Sequence, residues 1–229
     1  MLSENLRKVF IMKKVLRNIY LILKRVFEFL ISLILFVVLL IPFIVIAIAI
    51  KIEDRGPVLY KQTRIGKKGK PFQIYKFRSM KTNREELNSN MSHEEMVTKV
   101  GRVIRKTSLD ELPQLINILK GEMGFIGPRP WIPEYYEWFT EEQKRRSDVL
   151  PGITGLAQAK GRNNINIFKK IDYDLEYVDN VSLFMDLKII WLTIKEVFAT
   201  TGAEASEIEI KAEIEDLKRE NKNYSKGEI

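Results

Sequence analysis

The chain has 229 residues, a formal net charge of +8 and a sequence pI near 9.4. It contains no cysteine, which excludes disulfides, thiolate zinc sites and cysteine nucleophiles. Its single histidine, His93, lies in a polar stretch, so chemistry must rest on carboxylates, hydroxyls, lysines, arginines or a metal. The positive charge suits nucleic acid, anionic lipid or a phosphate-rich substrate, and it does not choose among these partners.

The first predicted element is an apolar run at residues 29–50, in which Ser32 is the only clearly polar side chain. A helix of roughly 20 residues is long enough to cross a bilayer core. The run is too long and begins too late for the apolar part of a signal peptide, so we expect it to be retained. Pro42 lies near its middle and predicts a break, because proline lacks the N–H of a helical residue and its ring clashes with the preceding turn.

Basic residues flank this apolar run on both sides, throughout residues 7–25 and again throughout 51–81. The positive-inside rule places dense lysine and arginine on the cytoplasmic side of a membrane, and a simple span cannot satisfy it at both ends. A helix–break–helix hairpin that enters and leaves the same leaflet satisfies both flanks and uses the proline. The alternative is a kinked single span with an exported N-terminus.

The next predicted element is a β-hairpin with a basic tip. Residues 58–60 and 72–75 have the composition of short strands, and a lysine-rich turn at 66–69 separates them. The polar residues 82–99 that follow predict a loop with some helix.

A helix is predicted from Asp110 to Leu119, with Pro113 tolerated in its first turn and Gly121 at its end. The three prolines of residues 124–133 then predict irregular structure. Residues 134–149 predict one amphipathic helix.

The last third of the chain begins with a predicted glycine-rich loop at 151–164. Apolar residues at helical spacing over 183–198 predict a helix that is either packed core or lies at a membrane interface. The charged tail from Ala203 onward predicts a peripheral helix.

The candidate catalytic residues centre on the adjacent acids Asp110 and Glu111. They lie at a predicted helix N-terminus, where negative charge is stabilised. Such a pair is usually only a first-turn feature. Here it is accompanied by Arg105, by Arg129 between two prolines, and by Arg162 after a glycine. The flanking prolines preset the backbone of Arg129, which lowers the entropy cost of presenting its guanidinium to a phosphate.

Three segments together resemble one family: RIGKKGKPFQIYKFRSM, TSLDELPQLINILKGEMGFIGPRP and PGITGLAQAKGRN. In this order after a proline-broken apolar run, they resemble the bacterial sugar transferases, the small monotopic polyprenyl-phosphate phosphoglycosyl transferases, over roughly residues 20–200. The resemblance implies a mostly helical α+β fold with a re-entrant membrane helix, a short β-hairpin and interfacial amphipathic helices. We therefore divide the chain into a basic N-terminus with the re-entrant helix (1–50), a cytosolic catalytic domain (51–200) and a charged tail (201–229).

The resemblance also implies transfer of a sugar 1-phosphate from a UDP-sugar to undecaprenyl phosphate, with release of UMP, in two steps through a covalent phosphosugar enzyme. By motif, Asp110 is the nucleophile and Glu111 is its partner and a ligand of Mg²⁺. Pro42 marks the membrane break. The basic residues implied to face the diphosphate and the lipid phosphate are Lys76, Arg105, Arg129 and Arg162.

Implied partners are thus the UDP-sugar, polyprenyl phosphate and membrane lipid, with no nucleic acid, at the cytoplasmic face of the bacterial inner membrane. Ala159-Lys160 replaces the family's more usual Val-Asn near these contacts. The sequence names neither the sugar nor the oligomeric state. A second hypothesis of another class is a non-catalytic, basic, membrane-anchored binding or scaffold protein. It explains the charge and the anchor, and it leaves the acid pair and Arg129 without a role.

Overall fold

The computed structural model describes residues 4–82, 95–161, 165–199 and 207–226. Over these ranges the chain is mostly helical with two small two-stranded sheets, which confirms the predicted α+β composition. The strands are β1 (Leu59–Ile65), β2 (Pro71–Phe77), β3 (Gly124–Ile126) and β4 (Gly152–Thr154). The helices are α1 (Glu4–Val38), α2 (Leu40–Glu53), α3 (Lys99–Lys106), α4 (Gln114–Lys120), α5 (Pro133–Tyr136), α6 (Glu141–Lys144), α7 (Leu156–Ala159), α8 (Ile167–Asp179), α9 (Leu183–Ala199) and α10 (Glu207–Lys226).

The predicted break in the apolar run exists, and it lies one turn earlier than expected. Helix α1 ends at Val38, α2 begins at Leu40, and the two helices are bent by 61°. Pro42 is in the first turn of α2. A proline ring clashes with the carbonyl four residues before it, and four residues before Pro42 is Val38. Pro42 therefore accounts for the break although the break is not at Pro42.

Within the described ranges, no helix alone has the length and apolar character of a membrane span, whereas α1 and α2 meet that test together by length and composition. Side chains around the bend are apolar and exposed, among them Ile34 and Val38 before it and Ile41 after it. A re-entrant helix is thus compatible with the bent pair, and it stays a prediction.

The polar side chains of α1 attach this helix to the rest of the protein. Ser32, the polar residue inside the apolar run, is fully buried and donates to the Leu115 carbonyl of α4 at 3.1 Å. Arg25, about two turns before Ser32 along α1, donates to the Ile118 carbonyl at 2.6 Å. A polar group in an apolar segment is costly unless it is bonded. These groups therefore select one face of α1 for packing against α4.

A second group of contacts joins α1 to β3 and α9. The ammonium of Lys24 lies 2.7 Å from an Asp186 carboxylate oxygen and donates to the Tyr177 hydroxyl at 2.7 Å and to the Ile126 carbonyl at 2.8 Å. Glu28 accepts a hydrogen bond from the Phe125 backbone N–H at 2.9 Å. Burial, reinforced by Asp186, raises the pKa of the Tyr177 hydroxyl, so it remains protonated at neutral pH.

The predicted β-hairpin is confirmed, with β1 and β2 antiparallel and Tyr60 opposite Lys76. Its basic tip is also confirmed, as a 3₁₀ turn at Lys67–Gly69. The predicted helix at 183–198 corresponds to α9, and the predicted tail helix corresponds to α10.

The single amphipathic helix predicted for residues 134–149 is wrong. This region forms α5, α6 and a 3₁₀ turn at Arg145–Asp148. Thr140 is extended, and its side chain accepts from the backbone N–H of Gln143 while the Gln143 side chain accepts from the backbone of Thr140. This reciprocal capping box starts a new helix in the middle of the predicted one.

Two segments predicted as irregular structure contain the parallel pair β3 and β4. Glycines allow the close approach of these strands, because a Cβ on Gly152 would lie 2.1 Å from the Gly127 nitrogen. The predicted glycine-rich loop also contains the short helix α7. Strands of three residues are too short for an alternating pattern to reveal them.

Candidate active site

The acid pair lies in a 3₁₀ turn, Leu109–Glu111, between α3 and α4. The prediction of a continuous helix from Asp110 is wrong, because α4 begins only at Gln114. Ser108 has a left-handed backbone (φ 56°), which redirects the chain before the acids, and Pro113 directly precedes α4. Gly121 ends α4 as predicted, with φ 86°. Asp110 is only 6% exposed.

Helix α2 supplies apolar packing contacts to the turn that carries the acids. Leu109 and Leu112, on either side of the pair, pack against a buried cluster that includes Ile50 of α2 and Phe77 of β2. The Phe77 ring also lies 5.2 Å from the ring of Phe43 in α2. The proposed membrane helix and the acid pair thus share one apolar core.

Two cations from separate elements converge on Glu111. The Lys76 ammonium, from β2, lies 3.1 Å from a Glu111 carboxylate oxygen, and the Arg129 guanidinium, from the loop after β3, lies 4.0 Å from the same oxygen. The Lys76 side chain is 9% exposed and the Arg129 side chain 40%. The Arg129 side chain is therefore more accessible to a ligand than the Lys76 side chain, which is largely shielded from water.

Asn117 of α4 fixes the strand that carries Lys76. It is fully buried, and its side-chain oxygen accepts from the Tyr75 backbone N–H at 3.1 Å. Its amide nitrogen donates to the Gln73 carbonyl and to a Glu122 carboxylate oxygen, both at 2.7 Å. Asn117 is not among the residues predicted from the sequence. The only signal for it is a polar residue within the otherwise apolar stretch of α4.

A buried ion pair holds the backbone of Arg129. Arg146 donates through Nε and Nη2 to one Asp174 carboxylate oxygen, at 3.0 and 2.6 Å, and through Nη2 to the Arg129 carbonyl at 2.7 Å. The Arg146 and Asp174 side chains are 3% and 1% exposed. Burial raises the pKa of the Asp174 carboxyl, and Arg146 acts in the opposite direction. Neither Arg146 nor Asp174 is among the residues predicted from the sequence.

The carbonyls on either side of Arg129 are also bonded. Pro128 accepts from the Gly152 N–H at 3.0 Å, and Pro130 accepts from the Arg64 guanidinium at 3.2 Å. The Trp131 carbonyl accepts from the Ile65 N–H at 2.8 Å. When the hydrogen bond from Arg146 to the Arg129 carbonyl is included, every backbone carbonyl from residue 128 to residue 131 accepts a hydrogen bond. This turn is therefore held rigidly, as a preorganised anion-binding turn requires.

The structure describes one of the two remaining predicted basic residues. Arg105 lies half-buried in the last turn of α3, and its carbonyl accepts from the Ser108 N–H at 3.1 Å, next to the acid turn. Arg162 lies outside the described residues, and so does His93. Gly161, the residue before Arg162, has φ 150°.

The two carboxylates fit one kind of metal site. In the part of the chain that the structure describes, no group of three or more His, Asp or Glu side chains could hold a metal ion. Mg²⁺ is usually bound through one or two carboxylates together with waters and substrate phosphates. Asp110 and Glu111, adjacent on one turn, are donors of that kind, and a diphosphate and water would supply the remaining ligands.

Comparison with known proteins places this chain in a family. The family model described as bacterial sugar transferase matches residues 19–200. A Bacillus subtilis protein named uncharacterized sugar transferase EpsL is 44% identical over 182 residues, which cover 80% of this chain and 90% of that protein.

Two further relatives are named for their reactions. The Escherichia coli UDP-glucose:undecaprenyl-phosphate glucose-1-phosphate transferase is 38% identical over 192 residues, which cover 80% of this chain and 41% of that protein. An Aeromonas hydrophila protein named UDP-N-acetylgalactosamine-undecaprenyl-phosphate N-acetylgalactosaminephosphotransferase is 38% identical over 195 residues, covering 81% of this chain and 46% of that protein. The chain therefore spans less than half of these two longer relatives. The predicted resemblance is confirmed: the chain belongs to the bacterial sugar transferase family and is a phosphoglycosyl transferase.

Proposed function

We propose that the protein transfers a sugar 1-phosphate from a UDP-sugar to undecaprenyl phosphate and releases UMP. The names of the Escherichia coli and Aeromonas relatives support this donor and acceptor class. The observation that carries the proposal is the buried Asp110 beside Glu111, whose carboxylate receives Lys76 at 3.1 Å and Arg129 at 4.0 Å. A carboxylate nucleophile next to a second carboxylate that two cations contact suits an anionic diphosphate.

In the first proposed step, a carboxylate oxygen of Asp110 attacks the phosphorus that carries the sugar. The bond from this phosphorus to the oxygen shared with the uridine phosphate breaks, and UMP leaves with the electron pair. In the second step, a phosphate oxygen of the lipid attacks the same phosphorus, and the bond to Asp110 breaks. The carboxylate is restored, and the product is a lipid diphosphate sugar.

The basic residues reduce the repulsion between an anionic nucleophile and an anionic donor. Lys76 is mostly buried, so its charge acts through a low local dielectric and is strengthened accordingly. Arg105, Arg129 and Arg162 are proposed contacts of the diphosphate and the lipid phosphate. Mg²⁺, when held by Glu111 beside Asp110, would add further charge neutralisation at the diphosphate.

We further propose that the protein acts at the cytoplasmic face of the membrane, with α9 lying in the interface. The apolar side chains on one side of α9 are exposed, including Phe184 at 78% and Trp191 at 68%. On the opposite side, Ile189 is fully buried, and Asp186 binds Lys24. A helix with one apolar exposed face and one docked face is the form expected of an interfacial helix.

Membrane topology is tested by single cysteines, because the chain has none of its own. We expect Lys13→Cys, on α1, and Lys67→Cys, at the hairpin tip, to react with an impermeant maleimide only when inverted membrane vesicles expose the cytoplasmic face. Both side chains are exposed, so accessibility is decided by the membrane. Labelling of the two positions from opposite sides would rule out the re-entrant arrangement.

The activity is tested by UMP release from a panel of UDP-hexoses and UDP-N-acetylhexosamines, with undecaprenyl phosphate present or omitted. We expect release with at least one donor, and continued turnover only when the acceptor is present. No release with any donor would favour the non-catalytic binding protein.

A further inference from the structure

The first part of α1 extends past the body of the protein. Within the described residues, the first side chains of this helix that pack against a buried cluster are Tyr20 and Leu21. Among the side chains that the structure describes from residue 7 to residue 19, Arg17 is the only one that is not exposed. We call residues 7–19 the N-terminal arm, which at 1.5 Å per residue is about 20 Å long. All but its last residue lie before the family match, which begins at residue 19.

One face of the arm continues the face by which α1 docks on the protein. Tyr20, Lys24 and Glu28, spaced at one turn, bind α9 and β3. Toward the N-terminus, at spacings of three and four residues, the same face carries Arg17 and then Lys13. The docking face therefore presents cations where it extends past the body.

The opposite face of the arm is an apolar stripe. Ile11, Val15 and Ile19 follow one another at helical spacing, and their side chains are exposed by 49–53%. The stripe runs on through Ile22 and Val26, which are also exposed, into the apolar run of residues 29–50. A continuous exposed apolar surface of this kind marks an interaction site.

The charge of the arm selects an anionic occupant for this site. Neither aspartate nor glutamate occurs between Glu4 and Glu28. The cations of the same stretch are Arg7, Lys8, Lys13, Lys14, Arg17, Lys24 and Arg25. A second copy of the arm packed along the stripe would bring like charges together, with no acid in either arm to offset them. An anionic bilayer suits both faces, because its acyl region covers the apolar stripe and its phosphates attract the cations.

We propose that the N-terminal arm is an amphipathic interfacial helix that binds anionic phospholipid. Its apolar stripe lies in the acyl boundary, and Lys13 and Arg17 lie near the lipid phosphates. The inference rests on the membrane placement proposed above and is independent of the transfer reaction. It makes attachment of the arm depend on the charge of the lipid and on ionic strength, in addition to apolar burial.

The test follows the arm in the full chain, reconstituted in lipid nanodiscs. A nitroxide label on Val15→Cys reports the ratio of lipid-embedded to water-exposed arm by electron paramagnetic resonance, and the chain has no cysteine of its own. The discs contain phosphatidylcholine alone or an equal mixture with phosphatidylglycerol. The charge variant adds Lys13→Gln and Lys14→Gln to the labelled chain. The matched control adds Lys67→Gln and Lys70→Gln, which remove the same charge from exposed positions between β1 and β2.

We expect phosphatidylglycerol to raise the embedded-to-exposed ratio of the arm by about tenfold or more. The charge variant should lose most of this increase, since each cation near an anionic surface contributes about fivefold, and the control should keep it. Raising the salt from about 0.15 M to about 1 M should also reduce the increase, because it shortens the Debye length from about 8 Å to about 3 Å.

Three results would overturn the proposal. An arm that is water-exposed in both kinds of disc does not bind lipid. An arm that is equally embedded in both, without an effect of salt or of the charge variant, is held by apolar burial alone. Embedding that occurs only in discs with two proteins, together with dipolar coupling between their labels, would assign the stripe to a second copy.

Failure of the proposed function has different signatures. If the transfer reaction is wrongly assigned, the wild-type protein releases no UMP, and the behaviour of the arm is unchanged. If the membrane placement is wrong, Lys13→Cys is labelled from the side opposite to the hairpin tip.

Discussion

The Asp110→Asn variant should lose sugar-phosphate transfer by on the order of 10⁴–10⁶-fold, the scale seen when a nucleophile or its essential partner is removed. An amide cannot form the proposed acyl phosphate, and its shape nearly matches that of the carboxylate. Asp110 is buried in a short turn, where a change of side-chain shape would disturb the packing. The matching shape of asparagine should therefore leave the fold intact. UMP release measures the rate, and thermal unfolding in detergent measures the integrity of the variant.

The matched control is Asp148→Asn, an aspartate at an exposed position of another 3₁₀ turn. It should keep wild-type activity, since Asp148 is exposed and changes of exposed side chains rarely have a large effect. Wild-type rates in Asp110→Asn would exclude Asp110 as the nucleophile. Inactivity of both variants would mean that the loss does not report on the acid pair.

The second large effect is expected at the buried ion pair behind Arg129. Asp174→Asn should lower the free energy of unfolding by about 3 kcal/mol, because it leaves the Arg146 guanidinium buried without a counter-charge. Arginine cannot relieve this by losing its proton. The same change should loosen the Arg129 turn, since Arg146 also bonds the Arg129 carbonyl. Chemical denaturation in detergent gives the stability, and the donor KM reports on the turn.

The neighbouring residue Arg145 provides the control for this prediction. Its guanidinium pairs with Glu142 and Asp179, and all of these side chains are substantially exposed. Exposed pairs contribute about 0–1 kcal/mol, so Arg145→Ala should cost no more than that. Equal losses in Asp174→Asn and Arg145→Ala would contradict the importance assigned to burial.

The parts of the fold that could be predicted have local causes. The β-hairpin follows from two short apolar segments around a lysine-rich turn, and the end of α4 follows from Gly121. The bend between α1 and α2 follows from Pro42, because the proline ring clashes with the backbone carbonyl four residues earlier. Thr140 and Gln143 also form a local capping signal, which the sequence analysis did not use.

The parts that could not be predicted depend on contacts between distant positions. Asp174 meets Arg146 across 28 positions of the chain, and Asn117 meets Tyr75 across 42. Neither partner has a local pattern that names the other. The short strands β3 and β4 pair over similar separations, with Gly124 opposite Gly152. At the candidate site, the sequence predicted Glu111, Lys76 and Arg129, and the structure brings the charged groups of the two cations to Glu111. The residues that support Lys76 and Arg129 could be identified only from the fold.

The α1 helix gives a related lesson about composition. Its apolar character predicted a membrane segment, and Ser32 looked like an isolated polar exception. In the fold, Arg25, Glu28 and Ser32 all bond to backbone groups of α4 or β3. These three polar positions therefore mark the face of α1 that packs on protein, and the re-entrant prediction assigns the apolar remainder to lipid.

The central claim, a covalent phosphosugar on Asp110, is tested most directly by intact-protein mass spectrometry. The wild-type protein is incubated with its UDP-sugar in the absence of undecaprenyl phosphate, and digestion then locates any adduct. We expect a mass increase of one sugar phosphate on the peptide that contains Asp110, its loss when the lipid phosphate is added, and no increase in Asp110→Asn. An adduct of equal yield in Asp110→Asn, or its absence from a wild-type protein that turns over, would contradict the account.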